Sequence, residues 1–258
     1  MSNQESSPIP VIATIRDAVT IPWRQQAIMF RALVPISLVL IALLTAMERM
    51  KVEAGGMIYA LVFYILFIPA FAVFAITCHR LILLGGDSVP KHGLAKWTRR
   101  ETRFVGWTLL IGFYYLCIGF VLAILLIGLT LFFEPLISPS PVVMKLAGGA
   151  TAVLVWIPCL YWGARYSILL PATAVDERPN LEWAWKVSQG NGWRLVLVVG
   201  VLPMALQTGP GFLLGYSIVV DVLLHAATCI LYVIEIAALS LSYRYLTGAQ
   251  AQSVGCDE

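Results

Sequence analysis

A chain of 258 residues has room for one or two soluble domains, but this one is 60% hydrophobic and only 12% charged, with a mean hydropathy of +0.86. An ordinary soluble domain carries about 25% charged residues, so the composition belongs to the membrane class and leaves no room for a separate catalytic domain. The net charge of +3 is small and confined to loops between apolar runs, which argues against a nucleic-acid partner and for a role in setting membrane orientation.

Residues 1–10 read as a flexible tail. Just beyond them, Ile12, Ile15, Val19 and Trp23 recur at helical spacing while Thr14, Arg16, Asp17 and Arg24 lie elsewhere around the axis, the pattern of a short amphipathic helix. The first apolar run begins near residue 32, after this polar stretch and without a small-x-small cleavage site, so it reads as a retained helix and not a signal peptide.

About 20 helical residues cross ~30 Å of hydrocarbon. Apolar runs near that size occupy 32–47, 57–84, 104–133, 142–170, 193–214 and 217–243, which predicts an all-α polytopic bundle of six transmembrane helices forming a single domain over 1–258. The last two spans are divided by Thr208-Gly209-Pro210-Gly211, a turn cluster. Pro69, Pro158 and Pro203 fall within spans and predict kinks. Gly211 and Gly215 have the G-x-x-x-G spacing of close helix packing, although they follow that turn.

Loops on alternate sides of these spans collect fourteen Lys and Arg on one side and three, Arg49, Lys51 and Lys145, on the other. Positive charge stays in the cytoplasm. The expectation is therefore a bacterial inner-membrane protein with both termini cytoplasmic, including a flexible tail at 248–258.

The even-numbered spans each end on one arginine, Arg80, Arg165 and Arg244, spaced 85 and 79 residues apart, and a Trp-bearing segment precedes each hairpin: Trp23, Trp97, then Trp183 and Trp185. This recurrence predicts three tandem units, 11–84, 94–170 and 180–247, each a short interfacial helix followed by a helical hairpin. Asn180 is placed to cap the third interfacial helix and Gly190 to end it. Trp23, Trp97, Trp185 and the three arginines are accordingly candidates for contact with lipid headgroups. The alternative is that these segments are ordinary solvated helices packed on their own bundle.

Asp221, His225 and Glu235 form the candidate intramembrane polar site. Ionisable groups inside a span cost about 2.5–3.5 kcal/mol on insertion scales and mark a pathway or a partner. At about 100° per residue, His225 and Glu235 fall about 40° either side of Asp221, with Thr228 and Tyr232 between them. Such a stripe could pass protons. The plainer reading puts Asp221 at the outer water boundary, His225 just below it, and Glu235 against an arginine from another helix.

The five cysteines include no C-x-x-C pair, four lie in apolar runs, and the three histidines are not spaced with other ligands as a metal motif would be. Neither a cofactor nor a metal is expected. No P-loop, dinucleotide or hydrolase motif is present.

The stretch Arg165-Tyr-Ser-Ile-Leu-Leu-Pro-Ala-Thr-Ala-Val-Asp, with Glu182-Trp-Ala-Trp-Lys and Gln189-Gly-Asn-Gly-Trp-Arg194, resembles bacterial multi-pass proteins grouped with the membrane region of glycerophosphoryl diester phosphodiesterases. That resemblance covers about thirty residues and the six-span layout. It implies a membrane anchor or inner-membrane protein without phosphodiester hydrolysis, since the hydrolase residues belong to a separate soluble domain. The function expected is a non-catalytic membrane-organising protein whose partners are membrane lipid, other membrane proteins or further copies of itself. The alternative is a secondary transporter or proton-coupled permease using Asp221, His225 and Glu235, and third comes a lipid-acting enzyme in which His79 or His225 converges with acids.

Overall fold

A computed structural model of the chain describes residues 8–53, 57–89, 97–137, 141–211, 214–215 and 217–254, and among these every regular element is helical. The chain order is α1 (Val11–Arg24), α2 (Gln26–Glu53), α3 (Met57–Leu84), α4 (Arg99–Ile137), α5 (Pro141–Tyr166), α6 (Leu169–Ala174), α7 (Leu181–Val187), α8 (Gly192–Leu195), a π-helical segment at Val196–Val201, α9 (Leu202–Gly211) and α10 (Ile218–Val254).

Four helices are long and apolar enough to cross a membrane: Gln26–Met50, Ala60–Leu84, Arg99–Gly128 and Ile218–Gly248. They correspond to four of the six expected runs: the first and last are longer than expected, the second is slightly shorter, and the third is shifted five residues toward the N-terminus. The run at 142–170 is helical only through Tyr166, where the chain turns before α6, a short helix that apolar periodicity did not announce. The run at 193–214 becomes a shorter apolar helix, Gly192–Thr208, interrupted by the π-helical segment. Pro203 supplies a physical reason for that interruption: its ring crowds the carbonyl of residue 199 and it has no N–H to give, and a widened turn just before it relieves the crowding. The helix persists through Gly211, so the break before α10 comes slightly later than the Thr208–Gly211 cluster indicated. Gly215 sits in a turn with φ of +92°, which removes it from any G-x-x-x-G packing face. α10 continues through Val254, into the stretch expected as a tail.

One apolar core joins α2, α3 and α10, with Leu40, Phe74, Cys78 and Ala237 essentially inaccessible. A second, at the end carrying the basic loops, gathers Ile9, Ala164, Ile168, Leu195, Tyr243 and Leu246. Cys159 and Cys229 are also buried, Cys117 is exposed, and Cys256 lies outside the described residues. Large apolar side chains are correspondingly bare on the outside: along α4, Phe113, Leu116, Phe120 and Leu125 are all more than 60% exposed. Soluble monomers rarely expose contiguous apolar surface on that scale.

α1 divides its apolar residues between two faces. Thr14 and Ala18 are buried and Val11, Ile15 and Ile21 pack on the core, while Ile12 (85% exposed), Val19 and Trp23 (64% exposed) look outward. At about 100° per residue these sets lie on roughly opposite sides, apart from Ile15 between them. The helix is therefore docked on its own bundle yet presents an apolar stripe to the surroundings. Of the second expected interfacial segment, residues 94–96 lie outside the described residues. The third is α7, begun as expected by Asn180, whose side-chain oxygen accepts from the Trp183 N–H at 2.7 Å. Gly190 adopts φ of +77° just past its end.

Candidate functional site

α2 and α10 run side by side, and their ends remote from the basic loops meet in a polar cluster. Asp221 is wholly buried; its Oδ2 accepts from Arg49 Nη2 at 2.6 Å and its Oδ1 from the Gly215 N–H at 2.8 Å. One turn further along α10, buried His225 shares a hydrogen bond through Nδ1 with Thr45 Oγ1 at 3.1 Å. The stripe expected on α10 thus faces the bundle at this end, with Asp221 in the first turn of the helix fully enclosed by protein. Both of its oxygens are engaged by donors, which ties the first turn of α10 to α2 and to the turn before it. Arg49 Nε is a buried donor with no hydrogen-bond partner among the described residues.

Glu235 is held elsewhere. Its Oε1 accepts from Gln207 Nε2 of α9 at 2.9 Å, so its partner is an amide and not the expected arginine. Between the two sites Tyr232 packs edge-on against Phe71, with ring centroids 5.2 Å apart. The three ionisable residues share a helix face but are each tied to a different group. Glu235→Gln keeps an acceptor for Gln207 and should leave thermal stability within about 0.5 kcal/mol, whereas Glu235→Leu orphans that amide and should cost about 1–2 kcal/mol; denaturant unfolding in detergent distinguishes the two.

At the basic end the three repeated arginines behave differently from one another. Arg80 donates to the carbonyls of Ser88 (3.2 Å) and Ala174 (3.1 Å) and pairs with Asp176 at 2.7 Å. Arg165 is buried: Nε donates to Ser188 Oγ at 2.8 Å, Nη2 to the Trp185 carbonyl at 2.6 Å, and the guanidinium lies 3.3 Å over the Trp185 ring. Burial at 4% leaves Arg165 no reach to a lipid phosphate, and Trp185, which also packs at a tilt against Trp162, is partly covered with it. Only Arg244 is exposed as a headgroup candidate requires.

Several functional-looking residues carried no sequence expectation. Asp176, in a left-handed conformation (φ 70°), joins Arg80 to Arg100. Glu101 is buried and accepts from the Thr98 N–H at 2.7 Å and from the Thr98 hydroxyl, closing the start of α4. The Thr-x-x-Glu spacing is a capping box and could have been read. Trp97 is half exposed beside it and gives its indole N–H to Thr102 Oγ1 at 2.9 Å. Tyr243 donates to Glu177 at 2.7 Å, and the Asn191 side chain accepts from the Ile9 N–H at 2.8 Å.

His79 is buried with Nδ1 2.7 Å from Ser240 Oγ. Ser240 Oγ also lies 2.8 Å from the Ile236 carbonyl, which ties the pair to the backbone of α10. Among the described residues no carboxylate hydrogen-bonds His79, and no three or more His, Cys, Asp or Glu come together as a metal ion would need. A cavity of about 210 Å³ lies apart from all these groups, between α4, α5, α6 and the π-helical segment, and none of Asp221, His225 and Glu235 lines it.

These features define an all-helical protein with four helices able to cross a membrane and polar groups paired mainly within the bundle. No protein family model, curated protein or solved structure matches the chain.

Proposed function

We propose that the chain is a non-catalytic multi-pass protein of the bacterial inner membrane, six-spanning with both termini cytoplasmic, that engages lipid and membrane partners through its basic, tryptophan-bearing face. The observation that supports this most is the division of α1 into a face docked on the bundle and an outward stripe of Ile12, Val19 and Trp23. Trp97 (50% exposed) and Trp193 (62% exposed) occupy the same end of the bundle. Indole rings with one apolar body and one wet N–H partition to the headgroup zone. The resemblance of 165–194 to phosphodiesterase-associated membrane regions agrees with an anchoring role.

The permease reading draws little support from α10, because Asp221 and His225 are tied to α2 and Glu235 to α9.

In vesicles containing lipid brominated near the glycerol, wild-type tryptophan fluorescence should be quenched markedly more than that of a Trp23→Phe/Trp97→Phe/Trp193→Phe variant. Equal fractional quenching would show that these rings lie away from the interface.

A further inference from the structure

The cavity of about 210 Å³ is walled by Thr108, Ile111, Tyr115, Leu170, Val199 and Gly200, with Gly163 beneath the tyrosine ring. Its shape is built in, because a Cβ at Gly163 would stand 1.6 Å from the Tyr115 hydroxyl oxygen, and the π-helical turn sets Val199 and Gly200 into the opposite wall. π-turns cost helix regularity and occur frequently at functional sites.

The lining is mostly apolar, and Thr108 and Ser167 donate their hydroxyl hydrogens to the carbonyls of Phe104 (2.9 Å) and Ala164 (2.8 Å), so neither offers a free donor to an occupant. Among the described residues the Tyr115 hydroxyl makes no hydrogen bond. An apolar cavity of roughly 150 Å³ already accepts a molecule the size of benzene, so this one has room for a longer hydrocarbon segment.

Position selects which hydrocarbon. Thr108 lies five residues beyond Arg103, about 7–8 Å along α4 at 1.5 Å per residue, and Gly163 lies two residues before Arg165. The site is therefore just inside the basic end, at the depth where glycerol esters give way to acyl chains. α4 forms one wall of this half-open cavity, and none of the residues in its most apolar stretch is buried, so lipid surrounds that wall and reaches the opening.

We propose that the cavity holds one acyl chain of a phospholipid from the leaflet at the basic end, its ester carbonyl accepting a hydrogen bond from the Tyr115 hydroxyl. The site rests on the membrane placement but not on the interfacial tryptophans.

The full-length protein, purified in mild detergent and washed extensively, should retain about one phospholipid per chain by native mass spectrometry. Thr108→Phe, which fills the space, should lower that occupancy at least tenfold, and Tyr115→Phe, which removes one oxygen, should lower it several-fold with helical circular dichroism unchanged. If Thr108→Phe does not fold, Tyr115→Phe decides. Unaltered occupancy in the folded variants, no retained lipid in the wild type, or retention of an isoprenoid lipid instead would each overturn the assignment. The Trp23→Phe/Trp97→Phe/Trp193→Phe variant should keep the tightly held phospholipid, so failure of the interfacial reading and failure of this one are separable.

Discussion

Arg49→Leu is expected to destabilise the protein more than Asp221→Ala, by about 4 kcal/mol against about 2–3 kcal/mol. Removing one partner of a buried ion pair costs about 3–5 kcal/mol because the other charge is left uncompensated, and here the two survivors differ. Asp221 has 0% of its side chain exposed, so without Arg49 it keeps only the Gly215 N–H. Arg49 is 37% exposed and can turn its guanidinium toward solvent when Asp221 is gone. The double variant Arg49→Leu/Asp221→Leu removes both charges and should recover at least half of the larger loss. Unfolding in mixed detergent measures all three. Equal, small losses would mean that the pair contributes nothing to joining α2 and α10, and losses that simply add would mean that the two residues act independently.

The same pair shows how far the sequence could be read. Ionisable residues inside an apolar run had to turn inward or find a partner, and Asp221 and His225 do so. Their partners were out of reach of any local pattern, since Arg49 and Thr45 lie 172 and 180 residues away. α1 was legible in part: its outward Ile12, Val19 and Trp23 follow from helical spacing, whereas the docked face of Val11, Thr14, Ala18 and Ile21, against which Ile15 also packs, did not. The end of α5 at Tyr166 and the π-helical turn before Pro203 were not, because hydropathy averages over windows longer than either feature. Length and apolarity located the helices, but the environments of Arg80, Arg165 and Arg244 show that similar positions in sequence need not have similar neighbours. Arg80 is met by Ala174 and Asp176 and Arg165 by Trp185 and Ser188 at the end of α7, whereas Arg244 is exposed.

Arg165 carries the second large effect. Its guanidinium meets the Ser188 hydroxyl, the Trp185 carbonyl and the Tyr161 hydroxyl (3.3 Å) while lying flat on the Trp185 ring. Among the described residues no carboxylate lies within ion-pair distance, so these dipoles and the indole face compensate the buried charge. Ser188 in turn donates to the Ala184 carbonyl at 2.8 Å, which couples the arginine to the last turn of α7. Lysine carries a compact charge with no planar fork, so it can satisfy one or two of these acceptors but cannot also stack. Arg165→Lys should therefore cost about 2 kcal/mol and Arg165→Ala about 3 kcal/mol or more, through lost packing and unpaired acceptors. The loss should be concentrated in α7: hydrogen exchange at residues 181–188 should accelerate at least tenfold in Arg165→Lys while α2 and α3 exchange as before. A uniform change across all helices would place Arg165 in the global core, and no change would mean that α7 is held by Ala184 and Val187 alone.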